Sequence, residues 1–171
     1  MKRAYLSLGS NLGDRTANIR RALEFLGRSG TNLCRLSSFY FTEPVDFLPQ
    51  AWFVNCVAEV RVERLPLQLL HNCQAVERAL GRRPGTSKGP RPIDIDILLY
   101  ENTVVHAREL TLPHPRLGER RFVLVPLREI APQLRHPITQ RTVLQMLQDS
   151  PDRSRVMRLR VEAPTGSLGL S

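Results

Sequence analysis

A chain of 171 residues with 42% hydrophobic content can bury one good core but not two ordinary domains, which predicts a single domain over residues 1–160. The formal net charge of +9 comes almost wholly from arginine, since Lys2 and Lys88 are the only lysines, and such a surface suits nucleic acid or a polyphosphate ligand. Cys34, Cys56 and Cys73 form no C-x-x-C pair, which argues against a disulfide framework or zinc knuckle and predicts buried, reduced thiols.

Ala4 to Leu8 reads as a strand. The apolar run there is too short for a secretory signal and no run approaches a membrane span, so a cytoplasmic protein without a membrane partner is expected. After the turn "GSNLGD", Asp14 can cap a helix from Arg15 to Leu26 that carries Ile19, Ala22, Leu23 and Leu26 at helical spacing. "LCRLSSFYF" is a second strand. The third, "WFVNCVAEVRVE", alternates clearly, with Val54, Cys56, Ala58, Val60 and Val62 on one face and Phe53 and Asn55 on the other.

A second helix begins at Pro66, turns Leu70, Cys73, Val76 and Leu80 inward, and stops at Gly81 in a left-handed cap. The glycines and prolines of "GRRPGTSKGPRP", Gly81 to Pro92, predict a mobile loop. A strand through "IDIDILLY" follows, then a turn at Glu101-Asn102 and a return strand through Val104 and Val105. Beyond "LPHP" come short helices from Phe122 to Glu129 and from Val143 to Leu147. "DRSRVMRLR" reads as a terminal strand or a basic tail, and residues 161–171 as a disordered end. Strands and helices interleaved over short connections predict an α+β sandwich on a mostly antiparallel sheet.

In "GPRPIDIDILLY" side chains alternate faces, so Ile93, Ile95 and Ile97 share one face while Asp94 and Asp96 share the other, roughly 6.6 Å apart along the backbone. Two carboxylates side by side repel, and one tends to keep its proton unless something positive joins them. An edge strand showing charge to water would also carry such a pair. The adjacent Gly89, Pro90 and Arg91 fit a second reading, in which the carboxylates hold a hard cation such as Mg²⁺ that shares its other positions with water and substrate phosphates.

Other nucleotide signatures are missing. "GTSKGP" has its glycine and lysine in the wrong order for a P-loop, and no G-x-G-x-x-G follows a strand. The single aromatic of "GERRFVLV" is too few for an RNA-recognition ladder, so no nucleic-acid partner is expected.

Four segments in order, "AYLSLGSNLGD", "SSFYFTEPV" with "WFVNCV", "GPRPIDIDIL" and "LPHPRLGERRFVLVPLREIAP", resemble the 6-hydroxymethyl-7,8-dihydropterin pyrophosphokinases of folate biosynthesis. The resemblance implies a ferredoxin-like core, a monomer, and transfer of pyrophosphate from ATP to the hydroxymethyl group of 6-hydroxymethyl-7,8-dihydropterin with release of AMP. It implies that Asp94 and Asp96 bind two Mg²⁺ ions bridging the ATP phosphates. On the pterin side it implies stacking by Phe53 and Phe122, an edge contact from Asn55, and backbone contacts from Thr42, Glu43, Pro44 and Val45. The alternation independently puts Phe53 and Asn55 on one face, as a flat heterocycle needing aromatic walls and an amide at its edge would require.

For ATP the resemblance points to Gln74, Glu77, Arg82, Arg91, Ile97, His114 and Arg120, with Arg82 and Arg91 joining the aspartates in catalysis. Many relatives carry a second arginine two positions after Arg82 and an aromatic before Gly89; this chain has Pro84 and Lys88 there. Two other classes share the fold and the charge: a basic nucleic-acid-binding module and a pterin or ATP sensor without turnover.

Overall fold

The computed structural model describes residues 1–45, 49–85 and 88–160. The expected disordered end lies outside the described residues, as do residues 86 and 87 of the expected mobile loop.

Strand β1 (Lys2–Ser10) runs through the middle of the sheet, paired antiparallel with β4 (Phe53–Val62) on one side and β5 (Asp94–Tyr100) on the other. Beyond β4 lie β2 (Asn32–Leu36) and β3 (Tyr40–Thr42), and β8 (Val156–Arg158) pairs with β3. Every pairing is antiparallel. With β2 and β3 counted as one interrupted strand, the order β5-β1-β4-β2/β3 and the two crossover helices make the βαββαβ unit of a ferredoxin-like core.

The interruption has a local cause. The Ser37 hydroxyl accepts the Val57 N–H at 2.9 Å, so a side chain replaces a ladder carbonyl and the predicted continuous strand breaks in two. A register shift between Leu33 and Arg35 puts Cys34 at a bulge on the outer strand. All five residues of β2 are exposed, Cys34 among them and contrary to expectation, whereas Cys56 and Cys73 are buried thiols.

Helices α1 (Arg15–Arg28) and α2 (Pro66–Ala79) cover one face of the sheet, burying Ile19, Ala22, Leu26, Leu69, Cys73 and Val76 against the Val54-to-Val62 side of β4. Asp14 caps α1 through the Ala17 N–H at 3.2 Å, and Gly81 ends the second helical region at φ +99°. Leu69 rather than Leu70 is fully buried. Helical spacing fits either leucine, and the position of α2 on the sheet leaves Leu70 at the rim.

The opposite face carries α3 (Arg121–Ile130) and α4 (Val143–Asp149), packed on Tyr5, Val57, Leu98 and Leu99. Among the described residues no return strand joins β5. Glu101 turns at φ +47° and bonds back to β1, accepting the Arg3 N–H at 2.6 Å. Val105–His106 (β6) therefore leaves the sheet and pairs with Thr111–Leu112 (β7) in a separate ribbon. No helix among the described residues is long and apolar enough to cross a membrane.

Candidate active site

Asp94 and Asp96 point to the side of β5 opposite Ile93, Ile95 and Ile97, which are all in the core. β5 is an edge strand, yet neither carboxylate is fully exposed. Arg82 reaches Asp94 Oδ1 at 2.5 Å with the same nitrogen that donates to Glu77, and Arg91 Nε lies 3.4 Å from Asp94 Oδ2. The two ends of the glycine-rich loop thus meet on one carboxylate.

Asn11, the residue after β1, holds this arrangement. Its side-chain carbonyl accepts the Arg91 N–H at 2.9 Å, its own N–H donates to the Arg91 carbonyl at 3.2 Å, and its amide donates to Gln50 at 2.8 Å. Asn11 is almost fully buried, so these contacts satisfy polar groups that water cannot reach.

A slot opens beside the aspartates toward β3 and β4. Phe53, Asn55, Phe122 and residues 42–45 line it, together with Arg91, Arg120, Asp94 and Asp96. Asn55 donates to Thr42 Oγ1 at 2.6 Å, which fixes its amide with both residues buried. Arg91 lies over the Phe53 ring, 4.9 Å from its centroid, and Arg120 over Phe122 at 5.5 Å. Cation and aromatic face are thus paired twice in one cavity.

Two open clefts meet the slot at Asp96, and one of them also at Asp94. Gln74, Glu77 and Arg82 line one between α2 and β5; Ile97 and His114 line the other beside β7. Asp96 borders the slot and both clefts. The residues expected to bind ATP are therefore divided, with Arg91 and Arg120 on the slot and the other five on the clefts.

Sequence reasoning left Gly9 out of the site. It faces Asp94 across the β1–β5 pair, and a β-carbon on it would lie 2.3 Å from Asn55 Oδ1. A glycine inside a strand is the signal that points to such close approach. Gln50 and Lys88 also line the slot.

Burial raises the Glu77 carboxyl to about 7, with the Asp94 charge adding to the rise and Arg82 opposing it. Asp96 is raised by burial and by the neighbouring Asp94 charge, against the pull of Arg120, Arg82 and Arg91. His114 moves the other way, to about 4, because burial and then the charges of Arg120 and Arg116 disfavour a proton. Its Nδ1 accepts the Arg116 N–H at 3.1 Å, so the neutral ring carries its hydrogen on Nε2 and offers a donor.

The donor set suits a hard cation. Two carboxylates supply oxygen ligands, and a positive ion beside them would offset both the burial that chiefly raises Asp96 and the Asp94 charge that adds to the rise. Among the described residues no group of three or more His, Cys, Asp or Glu side chains could hold a metal, so such an ion would take most of its ligands from water and phosphate.

Comparison with known proteins gives one consistent result. Residues 5–132 match the family model described as 7,8-dihydro-6-hydroxymethylpterin-pyrophosphokinase. A 2-amino-4-hydroxy-6-hydroxymethyldihydropteridine pyrophosphokinase of Porphyromonas gingivalis is 48% identical, over 78% of this chain and 92% of its own length. The Bacillus subtilis protein of the same name is 40% identical, over 80% and 82%. The folic acid synthesis protein fol1 of Schizosaccharomyces pombe is 42% identical over 88% of this chain, which spans only 21% of that longer protein. A wild-type Plasmodium falciparum HPPK-DHPS structure shares the fold, with a TM-score of 0.70 at 15% identity over 86% of this chain and 43% of its own. With most of its length matched, and bacterial relatives of 40% identity or more aligned over at least 82% of theirs, the chain belongs to the 7,8-dihydro-6-hydroxymethylpterin-pyrophosphokinase family.

Proposed function

We propose that residues 1–160 act as one pyrophosphokinase domain that transfers the β,γ-pyrophosphoryl group of ATP to the hydroxymethyl oxygen of 6-hydroxymethyl-7,8-dihydropterin. That oxygen attacks the β-phosphorus, the bond from the β-phosphorus to the bridging α,β-oxygen breaks, AMP leaves, and the hydroxymethyl proton is lost. The observation that carries this reading is the position of Asp96 where the aromatic slot meets both clefts, with Asp94 beside it on the slot and on the cleft between α2 and β5.

In this reading Phe53 and Phe122 enclose the pterin ring, Asn55 meets its edge, and the backbone of residues 42–45 closes the remaining side. Gln74, Glu77, Ile97 and His114 receive the nucleotide, His114 as a neutral Nε2–H donor. Asp94 and Asp96 would hold Mg²⁺ with ATP, and the bound ions would supply charge neutralisation at the phosphates. Arg82, Arg91 and Arg120 face the same junction and would add positive charge where it develops on the transferred group. Positioning and electrostatics dominate phosphoryl transfer, so no side chain is assigned as general base.

The protein is further proposed to act as a cytoplasmic monomer, which sedimentation at working concentration would check. Incubation with ATP, Mg²⁺ and the reduced hydroxymethylpterin should yield AMP and a pterin diphosphate. ADP as the sole nucleotide product, or no turnover with several divalent metals, would refute the assignment.

A further inference from the structure

Residues 150–158 lie beyond the part of the chain that matches the family model, yet they touch both walls of the slot. At one wall, Asp152 Oδ2 accepts the Arg121 N–H at 3.0 Å, Arg121 Nε donates to the Ser154 carbonyl at 3.1 Å, and the Ser150 hydroxyl donates to the Glu119 carbonyl at 2.6 Å. These bonds hold the first turn of α3 and the residues before it, where Arg120 and Phe122 reside. At the other wall, the Glu43 N–H donates to the Arg155 carbonyl at 3.1 Å and the Arg155 N–H donates to Glu43 Oε1 at 3.1 Å. Strand β8 then pairs with Tyr40–Thr42, the strand that leads into the segment 42–45.

The strap is tied together at its centre. Asp152 Oδ1 accepts the Ser154 N–H at 2.8 Å and also the Ser154 hydroxyl, so one carboxylate both caps α3 and folds the turn that presents Arg155 to Glu43. Nothing else in the sequence announces this role: the segment is basic, mostly exposed and carries no site motif.

We propose that residues 150–158 are a strap that sets the distance between the two walls of the pterin slot, and that Asp152 is a positioning residue for pterin binding. The proposal rests on the slot being the pterin site. Asp152 lines neither the slot nor the clefts, so its effect runs through Arg121 at one wall and through the Ser154–Arg155 turn to Glu43 at the other.

Asp152→Ala in the full chain, compared with Asp152→Asn and Phe122→Ala, tests it by calorimetry with the reduced pterin and separately with MgATP. Asp152→Ala should weaken pterin binding by about tenfold, as small displacements of a binding wall do, and leave MgATP affinity within about twofold. Asp152→Asn keeps a side-chain acceptor and should recover much of the loss. KM for the pterin should rise with kcat at saturating pterin little changed. Unchanged pterin affinity in Asp152→Ala, or equal losses for both ligands, would overturn the strap. Should Asp152→Ala fail to fold, Ser154→Ala is read in its place, with a pterin-selective loss expected and its absence refuting. If Phe122→Ala also leaves pterin affinity intact, the slot assignment itself fails; if Phe122→Ala weakens binding and neither Asp152→Ala nor Ser154→Ala does, only the strap fails.

Discussion

Replacing Gly9 with alanine should unsettle the site through one atom. The new β-carbon would sit 2.3 Å from Asn55 Oδ1, 3.3 Å from Asn55 Cγ and 3.6 Å from Phe53 Cδ1, so the conflict is with the asparagine. Asn55 is buried and its amide is bonded to Thr42 at 2.6 Å, which leaves it no easy retreat. Moving it breaks a buried hydrogen bond and overpacks the strand pair, together costing on the order of 2–4 kcal/mol. For a chain of this size that is a fall of about 5–15 °C in Tm. Pterin affinity should drop as well, since the displaced amide is the proposed edge contact. The decisive comparison is a double-mutant cycle with Asn55→Ala. In that background the obstructing atoms are gone, and Gly9→Ala should be neutral or stabilising by a few tenths of a kcal/mol through reduced freedom of the unfolded chain. The same large loss with and without Asn55, or no loss with Asn55 present, would refute the steric account.

Asp94→Asn and Asp96→Asn should each cut Mg²⁺-dependent turnover by about a hundredfold or more with little change in Tm, because both side chains face away from the core; near-normal rates at limiting Mg²⁺ would remove the metal assignment. His114, lowered to about 4, should show no imidazole titration by NMR as pH falls through its ordinary 6.5, and an inflection there would contradict its neutral state. The unfolded chain takes up that proton below 6.5 and the folded one does not, so His114 makes the protein lose stability from 6.5 down to about 4. Glu129 has the usual carboxylate sign: burial alone would raise it, but bonds from the Tyr40 hydroxyl and Ser38 N–H, each 2.6 Å, hold it below its ordinary 4.5. Its contribution is complete above 4.5 and lost as pH falls through the lowered value, so the urea-midpoint gap between wild type and Glu129→Gln should be constant above pH 4.5 and shrink below it.

Local periodicity carried much of this protein. The two-residue repeat separated Val54, Cys56, Ala58, Val60 and Val62 from Phe53 and Asn55, and it put Asp94 and Asp96 opposite three core isoleucines, because side-chain direction in a strand depends only on position along it. Asp14 and Gly81 marked helix ends for equally local reasons, a side-chain acceptor and a permissive φ. Tertiary structure decided what those patterns leave open. Leu69 and Leu70 both satisfy helical spacing, and only the seat of α2 on the sheet chooses between them. Ser37 interrupts a strand because its partner Val57 lies 20 residues away, and Glu101 diverts the chain because Arg3 is its neighbour in space. The site followed the same division: its carboxylates and aromatics were legible along the strands, but the bridge from Glu77 through Arg82 to Asp94 joins a helix, a loop and an edge strand. The neutral state of His114 and the reach of Asp152 to α3 likewise depend on desolvation and on hydrogen bonds between distant segments, which no spacing along the chain encodes.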